Sequence, residues 1–162
     1  MTYFCYLESP IGRLRLQSEG SALTALELDP DAGPVVRGTE DPGVGVLPAA
    51  ARQLAEYFAG VRRVFELPLA MRGTAFQERV WRALLEIPYG HTCGYGELAR
   101  RIQKPSAARA VGMANNRNPL PVFVPCHRVI GADGALIGYG GGLERKRWLL
   151  ALEGAPASNR LS

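Results

Sequence analysis

The sequence predicts an α+β protein in two lobes. Residues 1–72 should form a small antiparallel sheet with one helix, residues 73–154 a mostly helical lobe containing a helix-turn-helix and a reactive cysteine, and residues 155–162 a tail. Three observations lead there. The first 28 residues fall into short β-type segments cut by turn signals. From Thr74 onward apolar residues recur at helical spacing behind a clear start signal. The charge divides at the same place: residues 1–72 carry seven basic and nine acidic side chains, and residues 73–162 carry twelve and six, so the second lobe holds the positive excess. At 162 residues and 47% hydrophobic content, such a chain can bury a core without covalent staples.

Residues 3–7, 13–17 and 22–28 are the three β-type segments. They are separated by Ser9-Pro10-Ile11-Gly12 and Glu19-Gly20-Ser21, and they read as an antiparallel meander. Residues 29–48, rich in Pro, Gly and Asp, read as a loop. Residues 49–58 place Leu54, Tyr57 and Phe58 at helical spacing, and a short strand is expected over 64–67. Past a boundary at 71–74, Thr74 and Gln77 make a capping-box pattern, and Phe76, Val80, Trp81, Leu84 and Leu85 form one apolar face, stopped at Pro88-Tyr89-Gly90. Two shorter helices are expected, at 95–102 and from 107 to about 115, the second with Ser106 as its N-cap. The apolar run 120–124 reads as a buried strand leading into Pro125-Cys126-His127-Arg128-Val129.

Several function classes drop out. No apolar run approaches the roughly 20 residues of a membrane span, and residues 1–7 lack the basic start and apolar core of a signal peptide, so a cytoplasmic location is expected. Cys5, Cys93 and Cys126 are odd in number and follow no recognisable spacing, which speaks against a disulfide framework and a structural zinc site. With only His91 and His127 to add, no metal or other cofactor is expected. Gly140-Gly141-Gly142 lacks the Lys-Ser/Thr ending of a phosphate loop.

The thiolate is the reactive form of cysteine, and a nearby imidazole is a common way to raise its fraction, so Cys126 beside His127 is the candidate nucleophile. On an extended strand the two side chains would point to opposite faces; direct cooperation therefore needs a turn after Pro125 or a bridging water. The residues alone leave open a buried, inert thiol. The basic lobe suits an anionic partner such as nucleic acid, and helix-turn-helix is one arrangement that reads DNA. The second of these helices is nearly bare, with Ala107, Ala108, Ala110, Gly112 and Ala114 around Arg109. An ordinary helix is roughly 10–12 Å across and a minor groove roughly 6 Å wide, so a helix stripped to small residues could approach that groove. Close packing against another helix would also explain the small residues.

In order, Ile87-Pro88-Tyr89-Gly90, Thr92, Tyr95-Gly96-Glu97-Leu98-Ala99, Ala107-Ala108-Arg109-Ala110-Val111-Gly112, Asn118-Pro119, the Pro-Cys-His-Arg-Val core, Tyr139-Gly140-Gly141-Gly142, Lys146 and Glu153-Gly154 resemble the O6-alkylguanine-DNA alkyltransferases. The match spans about residues 76–154. With the Ser9-Pro10-Ile11-Gly12 turn it covers most of the chain and is most similar to the short, free-standing bacterial form.

The resemblance implies direct-reversal repair: an O6-alkylguanine, or an O4-alkylthymine, is flipped from duplex DNA and its alkyl group moves irreversibly to Cys126. It implies that His127 acts on Cys126 through a water and is oriented by Glu153, and that Asn118 holds the turn before the cysteine. Tyr95, Ser106, Arg109, Ala110 and Arg128 would meet DNA, with Arg109 as the finger filling the vacated stack and Tyr95 crowding the phosphate. Val129, Tyr139, Gly140 and Lys146 would line the pocket. The implied partner is double-stranded DNA containing O6-alkylguanine, met by a monomer. Gly94 stands where the family often has Ser, and Cys5 lacks the partners of the zinc site some members carry. Two other classes remain: a non-catalytic alkyltransferase-like binder, which replaces the cysteine, and a cysteine hydrolase, which gives the Arg109 helix no role.

Overall fold

The computed structural model describes residues 1–131 and 139–155, and the backbone of 160–161. It divides into two compact units, Met1–Arg72 and Gly73–Ser162. In the first, β1 (Tyr3–Ser9), β2 (Gly12–Ser18) and β3 (Leu23–Leu28) form the antiparallel meander, and β4 (Thr39–Glu40) adds to β1 in parallel, giving the order β3-β2-β1-β4. Ser9 builds the first turn: its hydroxyl donates to the Gly12 carbonyl at 2.6 Å and accepts from the Ile11 N–H at 3.2 Å. Leu14 and Leu16 of β2 alternate onto one face, where α1 (Leu47–Phe58) covers β1 and β2 with Leu47, Ala50, Leu54 and Tyr57, all fully buried. On the opposite face Arg15 is held by Glu27 and by the Pro34 carbonyl, which fastens the loop after β3. Gly45 is required where that loop meets the β2–β3 turn. Its φ is +54°, a Cβ there would lie 1.9 Å from the Gly20 carbonyl oxygen, and the next N–H, of Val46, donates to that oxygen at 2.9 Å.

The strand expected over 64–67 does not form. The main chain of Glu66 is taken up by the Gln53 side chain, whose amide oxygen accepts from the Glu66 N–H and whose nitrogen donates to the Glu66 carbonyl. Pro68 has no N–H to offer a ladder. The sheet is joined further on, by a single parallel bridge of Leu69 to Leu23.

In the second unit α2 (Ala75–Leu84) begins with the expected capping box, Thr74 Oγ1 accepting from the Gln77 N–H at 3.1 Å and Gln77 Oε1 from the Thr74 N–H at 3.0 Å. The short β5 (Thr92–Gly94) runs into α3 (Tyr95–Arg101), and a turn leads to α4 (Ala108–Asn116). Val80, Trp81 and Leu84 of α2 pack with Leu98 and Ala99 of α3 and with Val111 and Ala114 of α4. The Trp81 indole N–H donates to the Ala114 carbonyl at 2.9 Å and so sets which side of α4 faces inward. Beyond a 3-10 turn at Cys126–Arg128 come β6 (Val129–Ile130), α5 (Leu143–Leu152) and β7 (Arg160–Leu161). The parallel sheet β6-β5-β7, made of strands of two or three residues, is too short to leave a periodic signal in sequence. Its third strand uses residues of the expected tail; 156–159 and 162 lie outside the described residues.

Two local expectations are corrected. Ser106 does not cap α4: backbone bonds from Lys104 to Ala99 and from Ala107 to Lys104 close the α3–α4 turn, leaving Ala107 at the cap without a side-chain bond. The run 120–124 is buried but is not a strand. Pro119 and Pro121 cannot donate, and Val122 at φ +74° curls the chain so that the Val124 N–H reaches the Leu120 carbonyl at 2.9 Å. Among the described residues no helix is long and apolar enough to cross a membrane.

Candidate functional site

The curl at Val122 and Pro125 turns the chain into the 3-10 turn Cys126–Arg128, which satisfies the need for a turn after Pro125. The Cys126 N–H donates to the Val124 carbonyl at 2.8 Å, and the Asn115 amide from α4 donates to the Cys126 carbonyl at 3.3 Å. Asn118 spans the approach: its amide nitrogen donates to the Val124 carbonyl at 2.8 Å and its oxygen accepts from the Leu120 N–H at 2.9 Å. The thiol is buried, and burial pushes its pKa up to about 11. The nearby Asn118 and Tyr139 side chains and the charge of Lys146 pull the other way, so these three groups favour its ionised form.

His127, on the same turn, is wholly buried, with Nε2 2.8 Å from Glu153 Oε2. Burial lowers its pKa, opposed by Glu153, so the ring is neutral at ordinary pH. A neutral ring that donates Nε2–H to a carboxylate keeps its lone pair on Nδ1. That Nδ1 is buried and has no hydrogen-bond partner among the described residues. Glu153 caps the C-terminus of α5 and holds a second partner, Arg128, whose Nε and Nη2 donate to the two carboxylate oxygens at 2.8 and 2.9 Å. Burial alone would raise the Glu153 pKa; the bonds and charges of His127 and Arg128 outweigh it and hold the carboxyl well below its usual range. Arg128 also donates to the Ile87 carbonyl at 2.6 Å.

Lys146 lies one face inward on α5, fully buried, with Nζ donating to the Val129 carbonyl. Burial pushes its pKa down to about 8, while the cysteine raises it. Tyr95 and Tyr139 both have raised pKa values, through burial first and then through Cys126. The Tyr95 ring packs beside α4 at Gly112, where a Cβ would stand 3.6 Å from Tyr95 Cε1.

Cys126, His127, Glu153, Asn118, Lys146, Tyr139, Tyr95 and Val129 therefore converge. Arg109, Ala110, Ser106 and Gly140 are exposed. Arg128, expected to reach DNA, is instead buried, because its guanidinium is committed to Glu153 and Ile87. Two residues were missed. Asn115 carries a polar amide on the inward stripe of α4, which is itself a signal for a bond in the core. Met113 is 56% exposed on the outward face of the same helix, which is less bare than its alanines suggest.

Residues 75–155 match the family model described as the 6-O-methylguanine DNA methyltransferase DNA binding domain, and residues 2–71 match that of its ribonuclease-like domain. The chain is 52% identical over 153 residues to the methylated-DNA–protein-cysteine methyltransferase of Mycobacterium tuberculosis strain H37Rv, covering 94% of this chain and 93% of that protein. It is 46% identical over 158 residues to the constitutive methylated-DNA–protein-cysteine methyltransferase of Bacillus subtilis strain 168, covering 94% and 96%. The crystal structure of Mycobacterium tuberculosis OGT in complex with DNA matches with a TM-score of 0.88 at 52% identity, covering 96% of each chain.

Proposed function

The chain belongs to the 6-O-methylguanine DNA methyltransferase family and is a methylated-DNA–protein-cysteine methyltransferase of DNA repair; from that premise we propose that it flips O6-alkylguanine out of duplex DNA and takes the alkyl group onto Cys126 once, irreversibly. O4-alkylthymine is a second substrate of the same pocket, and the free protein acts as a monomer. Duplex DNA is the partner; the similar Mycobacterium tuberculosis protein is crystallised in complex with DNA. The observation that carries the reading is the buried Cys126-His127-Glu153 row, with the His127 lone pair left on Nδ1.

The thiol proton passes through a water to His127 Nδ1, and Glu153 stabilises the resulting imidazolium. The sulfur attacks the alkyl carbon as the carbon–O6 bond breaks, and guanine leaves with the bond's electrons and takes a proton from the Tyr95 hydroxyl. Asn118, Tyr139 and Lys146 stabilise the thiolate. The carbonyls of Cys126 and Val129 accept from the guanine amine, and the Gly140 N–H faces O6. A thioether is a poor leaving group, so no hydrolytic step returns the thiol. Arg109 fills the vacated stack, and extrusion costs a few kcal/mol of stacking and pairing.

The test is intact-mass analysis after incubation with excess duplex carrying one O6-methylguanine, followed by peptide mapping. One methyl group per chain, on the peptide holding Cys126 and never exceeded, is the expected result. Tight binding without a mass change would move the protein to the non-catalytic binders. Because extrusion is needed only in a duplex, Arg109→Ala should slow duplex repair about tenfold or more and spare the reaction with free O6-benzylguanine. Equal losses on both substrates would remove the finger assignment.

A further inference from the structure

We propose that Met113 is a second DNA-distorting residue, an apolar wedge that enters the minor groove one helical turn beyond Arg109; this rests on the DNA-repair reading above and deepens it. The Trp81–Ala114 bond and the burial of Val111, Ala114 and Asn115 fix the rotation of α4, so Arg109, Ala110, Met113 and Asn116 form its exposed row. Residues four apart lie on one helix face, about 6 Å along the axis. Met113 thus projects on the same side as the finger, with Ala110 leaving room between them.

Single exposed apolar side chains are common on protein surfaces and usually mean nothing. Met113 differs in its setting. It is the long apolar side chain on an outward face otherwise made of small or polar residues, and exposed Arg109 and Arg117 bracket it with positive charge. That combination complements a groove with anionic walls and an apolar, stacked floor. Side chains of this kind, methionine included, insert between base steps, partly unstack them and bend the duplex. An unbranched thioether suits the task because it adapts to an irregular gap. In this geometry Arg109 occupies the space of the flipped nucleotide, and Met113 loosens a neighbouring step, so part of the extrusion cost is met before the base leaves.

The test is single-turnover alkyl transfer by wild type, Met113→Ala and Met113→Leu from three substrates: duplex with one O6-methylguanine, the same strand unpaired, and free O6-benzylguanine. A 2-aminopurine beside the lesion reports unstacking by its fluorescence. Met113→Ala should slow duplex transfer about fivefold and diminish the 2-aminopurine rise. It should lose less on the single strand and nothing on the free base, and Met113→Leu should recover most of the rate. Duplex rates equal to wild type, faster transfer by Met113→Ala, or equal losses on all three substrates would overturn the wedge. Failure of wild type itself to transfer from the duplex would sink the underlying reading instead, so the two outcomes are separable.

Discussion

Glu153→Ala is expected to cost about 3–5 kcal/mol of stability, the usual consequence of removing one partner from a buried ion pair, and to lower the melting temperature by roughly 10 °C or more. The carboxylate is wholly enclosed and answers two cationic or donating groups at once. Without it the buried Arg128 guanidinium keeps the Ile87 carbonyl and the face of the Tyr89 ring but no counter-charge, and His127 Nε2 loses its acceptor. Glu153→Gln separates structure from chemistry. It keeps an oxygen for His127 but no charge for Arg128 or for an imidazolium, so the protein should fold with a smaller loss while transfer from free O6-benzylguanine falls about 10- to 100-fold. The acid limb supplies a second readout. Both the lowered Glu153 pKa and the lowered His127 pKa mean that the unfolded chain binds those protons more readily than the folded one. Stability from His127 staying neutral is therefore present above about pH 6.5 and lost below it, and that from ionised Glu153 is present above about pH 4.3 and lost further down. Urea melts from pH 7 to pH 2 should show a shallower decline below about pH 4 in Glu153→Gln than in wild type. Indistinguishable melts, or parallel acid slopes, would refute this account of the network.

Lys146→Met should reduce transfer from free O6-benzylguanine at pH 7 by roughly 10- to 100-fold, the range for a single nearby charge acting on an ionising group. It should also change the shape of the pH profile. The thiol is pushed to about 11 by burial and the amine to about 8, so at neutral pH the pair rests as thiol and ammonium. From pH 6 to 8 the thiolate fraction rises while the ammonium persists, and the rate should climb. Above pH 8 the ammonium discharges as fast as the thiolate grows, and the rate should level because the pair titrates jointly. Methionine keeps the length and packing of the stem but cannot discharge, so the variant should start lower and keep rising past pH 9. Its loss of the bond to the Val129 carbonyl makes a melting curve a necessary companion measurement. A variant with the wild-type plateau would show that Lys146 only props up Val129.

Much of this molecule is legible without coordinates, for identifiable reasons. The meander, the Thr74 capping box and the helices at 95 and 108 announce themselves through turn residues and periodicity, which act over a few neighbours. What stayed hidden depends on distant partners. Gln53 takes the main chain of Glu66 out of strand pairing, two prolines and Val122 curl the run 120–124, and very short strands pair residues 35 or more apart in sequence, as Cys93 does with Val129. The site divides along the same line. Cys126 beside His127 is visible as a string, and the resemblance brought Glu153 to it. The capture of Arg128 by that carboxylate is decided by burial, and nothing in the sequence around Arg128 distinguishes a guanidinium facing DNA from one facing the core.

Trp81 is almost fully buried and its indole N–H is fixed to Ala114 on α4. An indole moved from that apolar setting to water shifts its emission to the red. With Trp148 replaced by Phe, the chain therefore carries an optical gauge of whether its outward-facing helix is seated, readable without a label in the alkylated and unmodified forms.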